Sequence, residues 1–233
     1  MSDLPKKIKG VVCDLDGTLL DTEKIYDQIH QELINKYGNG KKYDWDVKKN
    51  VAGTAEYEGC KVLVAAYDMK ITAEELGNKR DEMLDSAFAN CSFMPGAREL
   101  VHKLKHELNL KVALATSCET KAFKSKMNHL QDWLKEDIDK VIIGDDKRLK
   151  KGKPNPDIFL LAIKDLGLNV EDCIIFEDAV NGTTAAIRAG VPMVISIPDP
   201  FLRKKVEEIE HDENKTKLVV LNSIKDFDFK LIK

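Results

Sequence analysis

Ile8-Lys-Gly-Val-Val-Cys13, followed at once by Asp14-Leu-Asp-Gly-Thr-Leu-Leu-Asp-Thr22, is the stretch that decides how this chain folds. A short run rich in β-branched residues that stops at acidic and turn residues reads as a buried strand ending in a sharp loop. Gly17 lets the backbone turn there without a Cβ penalty. Asp14 and Asp16 stand two residues apart at the point where the strand ends.

Further runs of the same kind lie at 112–115, 141–143, 173–176, 193–197 and 218–221. From about residue 95 they alternate with amphipathic stretches of helix length at 97–108, 158–166 and 179–189. That alternation predicts βαβ units, and so an α/β fold with a parallel sheet covered by helices on both faces. Asp157, after Pro154 and Pro156, is placed to cap a helix, and Gly190 with Pro192 to end one. Residues 23–93 break the rhythm. Ile25, Ile29 and Leu33, and later Leu76, Met83 and Leu84, keep helical spacing with no convincing strand, and the Ala-rich surroundings of 63–66 favour helix there too. The predicted organisation is a core at 1–22 and 94–233 with an all-helical insert at 23–93.

The 233 residues carry 37 basic and 40 acidic side chains, a net charge of −3, and are 43% hydrophobic. These values exclude overall disorder and give no basic excess for nucleic acid, which needs cations to displace counterions. No segment has the length of apolar run that spans a bilayer. Five scattered cysteines without a C-x-x-C pair argue against a disulfide framework or zinc knuckle. No apolar stretch of signal-peptide length precedes Asp14, so a cytoplasmic protein is expected; a monomer with no nucleic-acid or membrane partner is the accompanying expectation. The mixed charges of 203–217 read as a solvated face.

In a parallel sheet the residues that follow the strands gather along one edge. Here these are Asp14 and Asp16, then Thr116-Ser117, then Glu177-Asp178, while Lys153 stands just before a predicted helix. Converging carboxylates repel unless a cation offsets them, and oxygen donors suit Mg²⁺. Asp14 and Asp178 are expected as direct ligands with the Asp16 carbonyl, and Glu177 as the holder of a metal-bound water. Thr116, Ser117 and Lys153 would offset the charge of a phosphate group. Asp14 would attack phosphorus, and Asp16 would protonate the leaving alcohol and then deprotonate water. Each motif alone is weak; their order and their placement at strand and helix ends make the conjunction specific.

Asp14-Leu-Asp-Gly-Thr-Leu-Leu-Asp-Thr22, Ala115-Thr-Ser117, Gly152-Lys-Pro-Asn-Pro-Asp157 and Phe176-Glu-Asp-Ala-Val-Asn-Gly182 resemble the haloacid dehalogenase-like phosphohydrolases, in the subgroup with a helical cap. The resemblance implies a Rossmann-like core with strand order 5-4-1-2-3, Mg²⁺ dependence and a cap that closes over a small phosphate monoester. Asp16, which dehalogenases and phosphonatases lack, implies transfer from an oxygen ester. A sugar phosphomutase of this family carries a cap-side histidine where Tyr26 stands; His30 lies one helical turn further on. Hydrolysis is therefore favoured. Tyr43-Asp-Trp-Asp-Val-Lys48, Val51-Ala-Gly53 and Pro198-Asp-Pro200 are similar to pseudouridine-5′-phosphatase-like proteins, and plant-type glycerol-phosphate phosphatases share much of that pattern. Tyr26, Gly53 and Thr54 are the cap-side candidates for contact with substrate. The alternatives are a glycerol-phosphate or 2-deoxysugar-phosphate phosphatase, a mutase, and a non-catalytic scaffold.

Some residues fall outside these motifs. His102 and His106 are four apart on a predicted helix, but Lys103 stands where a zinc protease needs glutamate. Asp145-Asp146 reads as a solvated turn, Cys118 as a bystander thiol, and Trp45 and Trp133 as packing residues.

Overall fold

Val and Ile runs become strands here because their branched side chains pack well on a pleated, doubly covered surface. The computed structural model describes residues 7–51 and 56–232. In chain order β1 (Gly10–Cys13) is followed by four helices, α1 (Glu23–Tyr37), α2 (Trp45–Val51), α3 (Glu56–Ala66) and α4 (Ala73–Phe88). Next come α5 (Ala97–His102), a π-helical turn (Lys103–Glu107), β2 (Lys111–Ala115), α6 (Thr120–Met127), α7 (Gln131–Asp137) and β3 (Lys140–Ile142). The chain continues through α8 (Asp157–Asp165), β4 (Cys173–Glu177), α9 (Val180–Ala189), β5 (Met193–Ser196), α10 (Arg203–Glu207) and β6 (Lys217–Val220). No helix among the described residues is long and apolar enough to cross a membrane.

Two compact units result: one runs to Asp21 and resumes at Ser92, and the other is Thr22–Cys91. The first holds a six-stranded parallel sheet in the order β3-β2-β1-β4-β5-β6. Read from β5 this is the expected 5-4-1-2-3, corrected by a sixth strand at the β5 edge. Leu218 pairs with Val194 there, and its strand is only half-buried, as befits an edge. Val11 is in register with Val112 on one side and Ile174 on the other, so β1 lies between β2 and β4. Alternate residues Val12, Ala113 and Ile175 pack with Ile158, Phe159 and Ala162 of α8 and Ala185 and Ala186 of α9.

Two local expectations need correction. The helix expected over 97–108 is α-helical only to His102; Leu108 N–H then bonds to Lys103 O at 3.0 Å in a wider π turn. Asp157 does not cap α8: Pro156 is the N-cap and makes no side-chain bond, and Asp157 instead sits in the first turn, where the helix dipole favours an acid. Gly190 ends α9 in the left-handed region, φ +79°.

Among its described residues the second unit has helices and no strand. Ile29, Leu33 and Ile34 of α1 and Leu76, Leu84 and Phe88 of α4 form buried stripes at helical spacing. Leu63 is buried on α3, which settles 63–66 as helix. Thr72 and Glu75 form a reciprocal capping box at the start of α4.

Candidate active site

Asp14 is the first residue beyond β1, and its N–H extends the ladder to Phe176 O at 2.9 Å. Strands on both sides bury Asp14, which is 6% exposed as a residue. The chain then turns through Gly17 at φ +78°, where a Cβ would collide with the Asp178 carboxylate. Thr18 donates its hydroxyl to Asp178 Oδ1 at 2.7 Å. Asp178, directly after β4, is thereby seated against the turn that follows Asp16.

Lys153 links the nearby acids. Its ammonium donates to Asp14 Oδ1 at 2.5 Å and to Glu177 Oε1 at 2.7 Å, and lies 4.8 Å from the Phe159 ring centroid. Glu177 uses its other oxygen to accept the N–H groups of Asp178 and Ala179, each at 2.7 Å. Gly182 of α9 lies so near that any Cβ there would overlap the Glu177 carboxylate. Glu177 thus anchors Lys153 and the backbone of Asp178 together.

Around Asp16 the structure adds a residue that sequence reasoning missed. Lys126 of α6, with no exposed side-chain surface, donates to Asp16 Oδ1 at 2.5 Å. Thr116, directly after β2, donates to Asp16 Oδ2 at 3.2 Å and accepts Cys118 N–H at 3.1 Å. The Thr116 hydroxyl, read from sequence as a phosphate contact, is engaged by Asp16 in this conformation. Ser117 is exposed beside it. Lys126 follows Lys121 and Lys124 on a short helix, a pattern that ordinarily means solvated charge.

Asp145 and Asp146 lie at a solvated turn, as expected, and both carboxylates have partners. Asp145 accepts Thr120 N–H at 3.1 Å and the Thr120 hydroxyl at 2.8 Å, securing the start of the helix that carries Lys126. Asp146 pairs with Arg148 at 2.7 Å. Trp133 is a packing residue, buried edge-on against Phe93. In the second unit Tyr26 packs edge-on against Phe88 and lies 6.4 Å from the His30 ring. Gly53 and Thr54 lie outside the described residues.

Electrostatics follow from burial. Desolvation pushes the Asp14 carboxyl up to about 7; Glu177 and Asp16 push the same way, and Lys153 opposes them. Burial alone would lower Lys153, but Asp14 and Glu177 outweigh it and hold the ammonium charged. Burial raises the Cys118 thiol to about 11, which removes it as a nucleophile at neutral pH. Among these residues four carboxyl groups meet two ammonium groups, so acids outnumber bases. An all-oxygen donor set with that excess fits a hard divalent cation, with Asp14, Asp178 and the Asp16 carbonyl available to hold it.

A comparison with known families matches residues 11–196 to the haloacid dehalogenase-like hydrolases, and the chain belongs to that family. Its enzyme class is phosphoric monoester hydrolase. Among curated relatives, a "probable pseudouridine-5′-phosphatase" of Saccharomyces cerevisiae is 33% identical over 84% of this chain and 85% of its own. A (DL)-glycerol-3-phosphatase of Arabidopsis thaliana is 34% identical over 84% of this chain and 81% of its own. Among solved structures, a family IA hydrolase from Entamoeba histolytica superposes with a TM-score of 0.74 at 23% identity, covering 97% of each chain, a likeness of fold.

Proposed function

We propose that this chain is a Mg²⁺-dependent phosphatase that hydrolyses small phosphate monoesters through an aspartyl-phosphate on Asp14, with pseudouridine 5′-phosphate the leading substrate. The observation that carries this reading is the Lys153 ammonium held between Asp14 and Glu177, with Asp16 one turn away on a separate support. Relatives named for pseudouridine 5′-phosphate and glycerol 3-phosphate support the substrate class.

When bound, Mg²⁺ offsets charge on the phosphate oxygens and on the carboxylates that hold it. Lys153 adds a second fixed positive charge and orients Asp14. An Asp14 oxygen forms a bond to phosphorus as the ester P–O bond breaks, and the leaving oxygen takes a proton from Asp16. Asp16 then accepts a proton from water as the water oxygen bonds to phosphorus and the Asp14–phosphorus bond breaks, which releases inorganic phosphate. Lys126 and Thr116 aim Asp16 by donating to its two different oxygens. Tyr26 at the position where the family's mutases have histidine supports hydrolysis over mutase chemistry.

The test is turnover of p-nitrophenyl phosphate with Mg²⁺ and with chelator, then a panel containing pseudouridine 5′-phosphate, glycerol 3-phosphate, 2-deoxyglucose 6-phosphate and β-glucose 1-phosphate. Chelator-sensitive release of phosphate is expected, with the highest kcat/KM on pseudouridine 5′-phosphate. Glucose 6-phosphate formed from β-glucose 1-phosphate would point to a mutase, and no turnover of any ester would point to a scaffold.

A further inference from the structure

We infer that His102, His106 and Asp137 form a binding site for one divalent transition-metal ion of the Zn²⁺ class, at the end of the sheet opposite Asp14. The π turn and α7 lead into the N-terminal ends of β2 and β3, whereas Asp14 follows the C-terminal end of β1. In a parallel sheet those positions are at opposite edges, so this cluster is separate from the carboxylates described above.

His102 ends α5 and His106 lies four residues on in the π turn, and the two rings are 4.6 Å apart between centroids. Single π turns inside helices occur frequently at functional sites. Both rings address one oxygen of the buried Asp137 carboxylate: His106 Nε2 at 2.9 Å and His102 Nδ1 at 3.6 Å. One ligand atom from each residue lies within 4.8 Å of the other two. A tetrahedral Zn²⁺ with ordinary Zn–N and Zn–O bonds separates its ligands by about 3.3 Å. The observed spacings bracket that value.

The chemistry selects the ion. Two imidazoles and one carboxylate suit Zn²⁺, Co²⁺ or Ni²⁺ and not the oxygen-seeking Mg²⁺. Both histidines are exposed, so an ion has direct access, while the buried Asp137 is held in place by α7. The neighbouring Asp139 is already engaged by Lys105 at 2.6 Å and Val112 N–H at 2.8 Å, which leaves Asp137 as the carboxylate that faces the two rings. A bound ion would tie the π turn to α7.

The full chain, in excess Mg²⁺ to saturate oxygen sites, is titrated with Co²⁺ as a visible-absorbing probe. One equivalent is expected to bind with the intense visible absorption of a tetrahedral site, and Zn²⁺ is expected to displace it and to raise Tm. His102→Ala/His106→Ala should weaken Co²⁺ by more than ~10-fold and abolish the Tm rise. It should leave p-nitrophenyl phosphate turnover unchanged, which shows the variant folded. Asp137→Asn should weaken binding in the same direction. The inference is overturned if the double variant binds Co²⁺ as the parent does, if the parent shows no saturable binding, or if the spectrum carries the near-ultraviolet sulfur-to-cobalt band of a cysteine site.

Discussion

The Lys126 ammonium, fully withdrawn from solvent, sits 2.5 Å from Asp16 Oδ1 and joins α6 to the turn that follows β1. The two residues are 110 positions apart in the chain. A buried ammonium is tolerated only with a partner, so α6 can pack as it does because Asp16 receives it.

Replacing Lys126 with Met should therefore misplace Asp16 more than it unfolds the protein. We expect kcat to fall on the order of 10- to 100-fold, as befits partial loss of acid–base assistance. Alkyl phosphates, whose leaving groups need the proton, should lose more than p-nitrophenyl phosphate. Steady-state kinetics on both substrates check this, and an equal loss on the two would assign Lys126 a purely structural role.

Asp14→Asn should lower turnover by at least ~10⁴-fold, since no other group takes over from a lost nucleophile. It also removes one of several crowded negative charges, so the Tm should not fall. Acid-quenched protein incubated with substrate should carry phosphate in the parent and none in the variant. Wild-type rates from Asp14→Asn would end the assignment.

Gly182→Ala puts a methyl group into space already filled by the Glu177 carboxylate. Overpacking of this kind costs on the order of 1–3 kcal/mol. Because Glu177 also orients Lys153, kcat/KM should drop along with the urea midpoint. A variant with parental stability and activity would show that α9 can move aside freely.

His30 gives the second unit a pH dependence. Both ring nitrogens are buried without a hydrogen-bond partner among the described residues, and the ring lies 5.1 Å from Tyr43. Burial, followed by the charges of Arg80 and Lys48, lowers its pKa from 6.5 to about 4. The folded state thus binds fewer protons than the unfolded chain between those values, so stability falls as pH drops from about 6.5 toward 4. The full effect is about 3 kcal/mol. Urea midpoints measured across this range should decline in the parent and flatten in His30→Phe; parallel slopes would show that the histidine is not responsible.

How much of this was legible beforehand depends on how local each signal is. Strand β1, the turn at Gly17 and the helical insert follow from periodicity and turn chemistry within a few residues, and the order of the acidic motifs follows from parallel strands aligning their ends. All six strands follow from short apolar runs and the family resemblance supplied the order of five of them, whereas the place of β6 beside β5 came from the folded sheet. Lys126 could not be singled out, because a lysine among lysines on a short helix is solvated unless packing forces it inward. The clasp of Gly182 on Glu177 and the meeting of His102, His106 and Asp137 are likewise matters of tertiary structure. The amino-acid sequence by itself determined the elements and the chemical groups at their ends, since those depend on short-range sterics and burial pattern. Only the folded chain decided which charges face each other, because Coulomb and hydrogen-bond energies depend on distances set by packing between elements far apart in the chain.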